Sequence, residues 1–228
     1  MKLPKRFSFI KYKKHHFEYL FQDSSIKIPS PMYPVGEPLE IFLHENTQQI
    51  DNKDILDAID QVEFKIGQCY TNAENVVDEL KKQGLKAEVY VGWMINGYAF
   101  PLHHAWVIFR RKYLIDISDH FDCFFWNLKE RDVDIKNISR EDIQDELIDF
   151  TKEALQQKTS LRCTLGKASK RTVYIGTKSS RQKGIDTFNK LMQQYPNHPC
   201  LVKGTDKVTG IAPLQKKIIK IEKTSNNF

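Results

Sequence analysis

Three side chains in this sequence carry the chemistry of a nucleophilic cysteine site. Cys69 supplies a thiol, His104 an imidazole and Asp116 a carboxylate, in that order along the chain. In such a site the imidazole removes the thiol proton and later protonates the leaving group, while the carboxylate orients the ring and stabilises the imidazolium. The separation of twelve residues from His104 to Asp116 suits two paired strands that bring both side chains to one end of a sheet.

The thiol lies where a helix is predicted to begin. Gly84 marks the predicted end of this helix, with lysines in the last turn where cations suit the dipole. Cys69 falls in the first turn, where unpaired backbone N–H groups and the positive dipole end favour a thiolate. The alternative is a small buried hydrophobic residue, as most free cysteines are. The apolar residues that recur at helical spacing are Ala73, Val76, Val77 and Leu80.

Two consecutive strands are predicted to carry the imidazole and the carboxylate. Residues 104–109 and 113–117 are hydrophobic runs, and Arg110-Arg111-Lys112 forms the turn between them. A further strand over 87–95 precedes them and ends at the turn signal Asn96-Gly97. Side chains alternate between the two faces of a strand, so His104 shares its face with Trp106 and Ile108.

Neighbouring residues compete for two of these roles. His103 is an alternative base, although alternation turns it to the face opposite His104. Asp119 and Asp122 are alternatives to Asp116, but they lie beyond the predicted strand. A metal site built from the two histidines and Asp116 is a third possibility, and adjacent strand residues are poorly placed to face one ion.

The combination of these segments resembles the core of the transglutaminase-like branch of papain-fold cysteine enzymes, which includes bacterial and phage members of unassigned activity. The likeness covers roughly residues 62–120 and lies in Gly-x-Cys-x-x-x-Ala, His-Ala-Trp-Val and a hydrophobic-Ile-Asp after a short hairpin. It implies Cys69 as nucleophile, His104 as general base and acid, because Ala-Trp follows it, and Asp116 as orienting carboxylate. It also implies an α+β fold with a papain/transglutaminase-like core. In that core a nucleophile helix packs on an antiparallel sheet, and the Cys69 N–H contributes to an oxyanion hole.

The sequence departs from that family near the nucleophile. Many relatives have Trp directly after the cysteine, where this chain has Tyr70, and papain-like proteases have Gln at the position of Glu63. The side-chain half of the oxyanion hole is therefore unassigned. Beyond the triad, the candidates for substrate or oxyanion contacts are Gln61, Gln68, Tyr70, His103 and Trp106.

The composition is that of a globular protein without a membrane span. The chain has 228 residues, 40% of them hydrophobic and 28% charged. No signal peptide is predicted after the basic residues 1–14. Residues 89–109 lack charged side chains, but Asn96-Gly97, Pro101 and two histidines favour a buried sheet over a lipid-facing helix. The cysteines form no Cys-x-x-Cys pair, which favours a reducing, cytoplasmic location over a disulfide framework or zinc module: Cys69, Cys123, Cys163 and Cys200.

Charge is unevenly distributed along the chain. Residues 1–150 carry 19 Lys and Arg against 25 Asp and Glu, a net charge of −6. Residues 151–228 carry 16 against 4, a net charge of +12. A basic surplus of this kind suits nucleic acid or another acidic partner. The alternative is that it pairs with the acidic front part of the same chain.

The sequence predicts a cysteine-enzyme domain over 1–160, with its core over 50–160, and a basic α+β extension over 161–228. The alternative is that the second part completes the sheet of the first. The remaining predicted helices lie over 51–61 (capped by Asp51), 139–157 and 180–195. The remaining predicted strands lie over 39–43, 171–175, 208–211 and 218–221, with one more through Phe7, Phe9 and Tyr12. A loop is predicted over 29–38, and residues 121–126 form an aromatic cluster in the sequence.

These observations favour a cysteine enzyme that needs no cofactor or metal and acts on a protein, peptide or other amide substrate. Hydrolysis by way of an acyl-enzyme is the default outcome, and transfer to an amine or deamidation of a glutamine uses the same three residues. A non-catalytic nucleic-acid-binding or adaptor protein, using the basic residues 161–228, is the alternative.

Overall fold

The computed structural model describes residues 3–8, 10–12, 16–21, 24–29, 39–63, 68–96, 101–118 and 164–194. These residues form an α+β fold. The strands are β1 (Ile10–Tyr12), β2 (His16–Phe21), β3 (Ser24–Pro29), β4 (Glu40–Phe42), β5 (Ala87–Asn96), β6 (Leu102–Phe109), β7 (Tyr113–Asp116), β8 (Thr164–Gly166) and β9 (Thr172–Lys178). The α-helices are α1 (Lys53–Asp60), α2 (Cys69–Lys82) and α3 (Arg181–Gln194), and Lys5–Phe7 form a 3-10 turn.

Six of the strands form one antiparallel sheet in the order β4-β9-β5-β6-β7-β8. The strands from β5 to β8 follow one another as neighbours, whereas β9 returns to lie between β4 and β5. Strands from both predicted parts of the chain, 1–160 and 161–228, therefore share one sheet. The other three strands form a separate antiparallel sheet in the order β1-β2-β3.

Helices α2 and α3 pack on the same face of the six-stranded sheet. On α3, Gly184 permits this close approach, because a Cβ there would lie 2.9 Å from Val91 Cγ2 and 3.1 Å from the Tyr70 ring. The cluster under α2 includes Ala73, Val76, Leu80, Val89, Val91, Ala105 and Val107. The cluster under α3 includes Trp93, Ile95, Val173, Ile175 and Leu191.

The opposite face of the sheet carries aromatic residues around Trp106, together with His104 and Asp116. The Trp106 ring lies 5.1 Å from the ring of Tyr174 and 6.4 Å from that of Tyr90, between centroids. A Cβ at Gly176 would lie 2.6 Å from Trp106 Cη2, so glycine on β9 leaves the space that the indole of β6 fills.

The helix that begins at Cys69 and the β6–β7 hairpin are confirmed. In the hairpin turn, Arg110 and Arg111 have φ angles of 48° and 60°, and Lys112 N donates to Phe109 O at 3.2 Å. Two consecutive left-handed residues give the turn a twist that matches the paired strands. Two arginines adopt it here, at a cost of roughly 1–2 kcal/mol each relative to the right-handed conformation.

Two local predictions are wrong in detail. Helix α1 is capped by Asn52 and not by Asp51, because Asn52 Oδ1 directly precedes the helix and accepts from Ile55 N at 3.1 Å. Phe7 ends the 3-10 turn and is buried in the core, so the strand begins later, at Ile10. On α3, Leu191 is fully buried, and the half-buried Phe188 and Met192 pack against the core cluster under this helix.

Several predicted features lie outside the described residues. They are the elements over 121–126, 139–157, 208–211 and 218–221, residues 30–38 of the loop, Gly67, Gly97, the alternative carboxylates Asp119 and Asp122, and Cys123, Cys163 and Cys200.

Candidate active site

Cys69 is the first residue of α2 and its side chain is half-buried. The preceding Gln68 provides no side-chain cap, and the first turn holds no acidic residue. The first hydrogen bond of the helix runs from Asn72 N to Gln68 O at 2.8 Å, so the N–H groups of residues 69–71 have no partner within the helix. The positive end of the helix dipole therefore lies beside the sulfur without a neutralising carboxylate in that turn.

His104 and Asp116 form a buried hydrogen-bonded pair. His104 Nε2 lies 2.8 Å from Asp116 Oδ2, and the two side chains are 6% and 1% exposed. The β6–β7 register explains the contact, because Val107 pairs with Ile115 and the next positions bring residues 104 and 116 diagonally together on one face. Cys69 lies near the same ring, and its charge and hydrogen-bonding capacity contribute to the raised pKa of His104. Since Nε2 lies against Asp116, Nδ1 is the ring nitrogen that can face the thiol.

The surroundings of His104 favour its charged form. Burial works against the imidazolium, but the Asp116 carboxylate and a Cys69 thiolate, through their charges and hydrogen bonds, raise the pKa of His104 well above its usual value. The structure thus brings the three predicted triad residues into one connected set. Such a set can move a proton between sulfur, imidazole and a leaving group.

Asp116 has two further partners, which the sequence did not reveal. The Tyr174 hydroxyl donates to Asp116 Oδ2 at 3.0 Å, and Ser118 N donates to Oδ1 at 2.9 Å. Both carboxylate oxygens are therefore engaged. A tyrosine inside an apolar strand signals a buried hydroxyl that needs a partner, but it does not identify a partner 58 residues away in sequence.

Two hydrogen bonds fix the first turn of α2 against the sheet. Asn72, which is buried, donates from Nδ2 to Ser118 Oγ at 2.9 Å, just beyond β7. The Tyr70 hydroxyl and His103 Nδ1 are 2.6 Å apart. Residues 69 and 70 of the helix therefore contact residues 104 and 103 of β6, which alternate between its two faces.

Aromatic rings surround His103. Its ring centroid is 5.2 Å from that of Trp93, edge-on, and 5.6 Å from that of Phe188. Burial, followed by the nearby Cys69 charge, raises the pKa of Tyr70 well above its usual value, so its hydroxyl keeps its proton at neutral pH. The structure thus pairs His103 with a phenol and His104 with the thiol and the acid.

The other predicted contact residues lie in different settings. Trp106 is fully buried within the aromatic group, so it forms a wall behind His104 rather than an exposed contact. Its Nε1 has no hydrogen-bond partner among the residues that the structure describes. Gln61 is exposed at the end of α1, as is Glu63 two residues later. Gln68 is exposed directly before Cys69.

Within the described ranges, no three or more His, Cys, Asp or Glu side chains are grouped so that they could hold a metal ion. Among the same residues, no helix is long and apolar enough to cross a membrane.

No protein-family model, curated protein or solved structure matches this chain.

Proposed function

We propose that this protein is a cysteine enzyme that cleaves or transfers an amide or acyl group through a thioester on Cys69. One observation carries the proposal: a thiol at the start of a helix neighbours a buried histidine whose Nε2 lies 2.8 Å from a buried aspartate. This arrangement supports the three roles that nucleophilic cysteine catalysis requires.

In the proposed reaction His104 Nδ1 first takes the Cys69 proton. The thiolate then attacks the substrate carbonyl carbon, forming a carbon–sulfur bond while the carbonyl electron pair moves to oxygen. Collapse of this intermediate restores the carbonyl and breaks the bond to the leaving nitrogen, which takes the proton from His104. Water, deprotonated by His104, then attacks the thioester and releases the acid product and the thiolate; an amine in place of water gives transfer.

The first turn of α2 supports the oxyanion step. The backbone N–H groups of residues 69–71 are not used within the helix, and they lie beside the attacking sulfur. Preorganised N–H donors of this kind stabilise the developing negative charge without reorganisation. The proposal assigns the Cys69 N–H to this role.

The geometry also supports the proposed papain/transglutaminase-like core. A helix with cysteine in its first turn packs on an antiparallel sheet, and the adjacent strands β6 and β7 of that sheet carry the histidine and the aspartate. Tyr70 and Glu63 remain departures from the family pattern, and Glu63 is exposed. The proposed activity therefore relies on backbone donors at the start of α2.

Nucleic-acid or adaptor binding through residues 161–228 ranks second. Two of the basic residues in this part have internal acidic partners: Lys178 Nζ pairs with Glu88, and Arg181 Nη1 lies 3.4 Å from Glu74 Oε2. These contacts agree with the alternative that part of the basic charge is balanced by the front of the chain. Retention on an anionic column that weakens steeply with salt would favour this second function.

Labelling with a thiol-directed electrophile, followed by intact-mass analysis and peptide mapping, tests the enzyme proposal. We expect preferential labelling of Cys69 at about pH 6, where an ordinary thiol is almost fully protonated. Cys69→Ala should abolish it and His104→Ala should slow it on the order of 100-fold. The matched controls Cys123→Ala, Cys163→Ala and Cys200→Ala should leave it unchanged. Equal labelling of all four thiols would contradict the proposal.

A further inference from the structure

Tyr174 connects the C-terminal strand of the sheet to the candidate active site. It lies in β9, is fully buried, and donates its hydroxyl proton to Asp116 Oδ2 at 3.0 Å. The same oxygen receives the hydrogen bond of His104 Nε2 at 2.8 Å. A single carboxylate oxygen therefore joins the phenol to the imidazole.

This contact spans several strands of the sheet. Between β9 and β7 lie β5 and β6, so three strand spacings of about 4.8 Å each separate the two backbones. A tyrosine and an aspartate meet across that distance only if the sheet curls with this face concave. Trp106 supports the same curvature, because its indole reaches from β6 to the backbone of Gly176 on β9.

The Tyr174 hydroxyl restricts rotation of the Asp116 carboxylate. Ser118 N holds Oδ1 at 2.9 Å, which leaves the carboxylate able to turn about the bond that joins it to the side chain. The Tyr174 hydroxyl fixes the second oxygen, the one that faces His104. With both oxygens held, the acceptor stays where the imidazole needs it.

We propose that Tyr174 is a positioning residue that keeps Asp116 oriented toward His104 and thereby maintains the reactive state of Cys69. This inference rests on the proposed function. It makes the catalytic set depend on β9, a strand that lies about one hundred residues beyond Cys69 in the sequence.

The chain offers a matched control in Tyr90. It is also buried, its ring also lies beside Trp106, and its hydroxyl also donates to a carboxylate, Glu40 Oε1, at 2.7 Å. Tyr90→Phe and Tyr174→Phe therefore remove the same atom from the same aromatic group. Only the second change touches Asp116.

The experiment measures the rate of Cys69 alkylation by iodoacetamide from about pH 5 to about pH 9 in the 228-residue chain, with Asp116→Asn as the reference for a disturbed carboxylate. Tyr174→Phe should slow the reaction about 2- to 10-fold at neutral pH and move the acid limb of the profile upward by about half a unit to one unit. The midpoint of the His104 ring titration, followed by NMR, should move down. Tyr90→Phe should leave both profiles at their wild-type positions.

The outcomes separate this inference from the proposed function. If Tyr174→Phe matches Tyr90→Phe and wild type while Asp116→Asn is slow, the role of Tyr174 is wrong and the enzyme proposal stands. If wild-type Cys69 reacts no faster than Cys69 in His104→Ala, the enzyme proposal itself fails, and the role of Tyr174 fails with it.

Discussion

His103 and His104 are neighbours on β6, yet they contact different groups among the described residues. His104 is buried between a carboxylate and a thiol, and both partners favour its charged form. His103 is buried between Trp93 and Phe188, and its Nδ1 forms a hydrogen bond with the Tyr70 hydroxyl.

The two histidines have different neighbours because side chains of adjacent strand residues point to opposite faces of the sheet. One face of β6 lies under α2 and α3, where apolar packing dominates, and the other carries Asp116 and the aromatic group. We infer that the Tyr70–His103 contact fixes the start of α2 on the sheet, while the His104–Asp116 pair serves the thiol.

The largest expected effect comes from removing the Asp116 carboxylate, which pairs with His104. Asp116→Ala leaves the His104 ring and the Tyr174 hydroxyl without their shared acceptor. Removing one partner of a buried ion pair typically costs about 3–5 kcal/mol, so we expect the free energy of unfolding at about pH 6 to fall by roughly 3 kcal/mol. Urea denaturation of both proteins measures the change. A loss below that for Tyr70→Phe would contradict the assignment of the two histidines.

The pH dependence of the free energy of unfolding provides a second test of the difference between His104 and His103. Because the pKa of His104 is raised in the folded protein, its stabilising contribution is fully present below about pH 6.5 and is lost as the pH rises through the folded pKa. The loss can reach about 1.4 kcal/mol per pH unit for a single group. His104→Gln should flatten this slope in a series of urea denaturation curves, whereas His103→Gln should retain it. Equal slopes in both variants would mean that another group is responsible.

The smallest effect is expected from the loss of the Tyr70–His103 hydrogen bond. Tyr70→Phe removes the hydroxyl that meets His103 Nδ1 and keeps both rings in place. The loss of one hydrogen bond should lower the free energy of unfolding by about 1 kcal/mol, without changing the pH slope that His104 produces. Denaturation at two pH values tests both statements. A changed slope would show that Tyr70 is coupled to the charged pair.

Local patterns in the sequence predicted the elements that carry the site. Helical spacing identified α2 and the position of Cys69 in its first turn, and alternation separated His103 from His104. These features depend on residues only a few positions apart. The cap of α1 was misassigned by one residue because Asp51 and Asn52 are both good caps, and only the backbone path decides which one reaches Ile55 N.

The sequence by itself determined which strand, turn and helix would present the thiol, the imidazole and the carboxylate, because periodicity and turn chemistry act over short distances. Only the tertiary structure decided that β9 enters between β4 and β5, that glycine at position 176 leaves room for Trp106, and that Tyr174 reaches Asp116. Those contacts join residues far apart in the chain across a curved sheet. They depend on strand order and curvature, which no local pattern specifies.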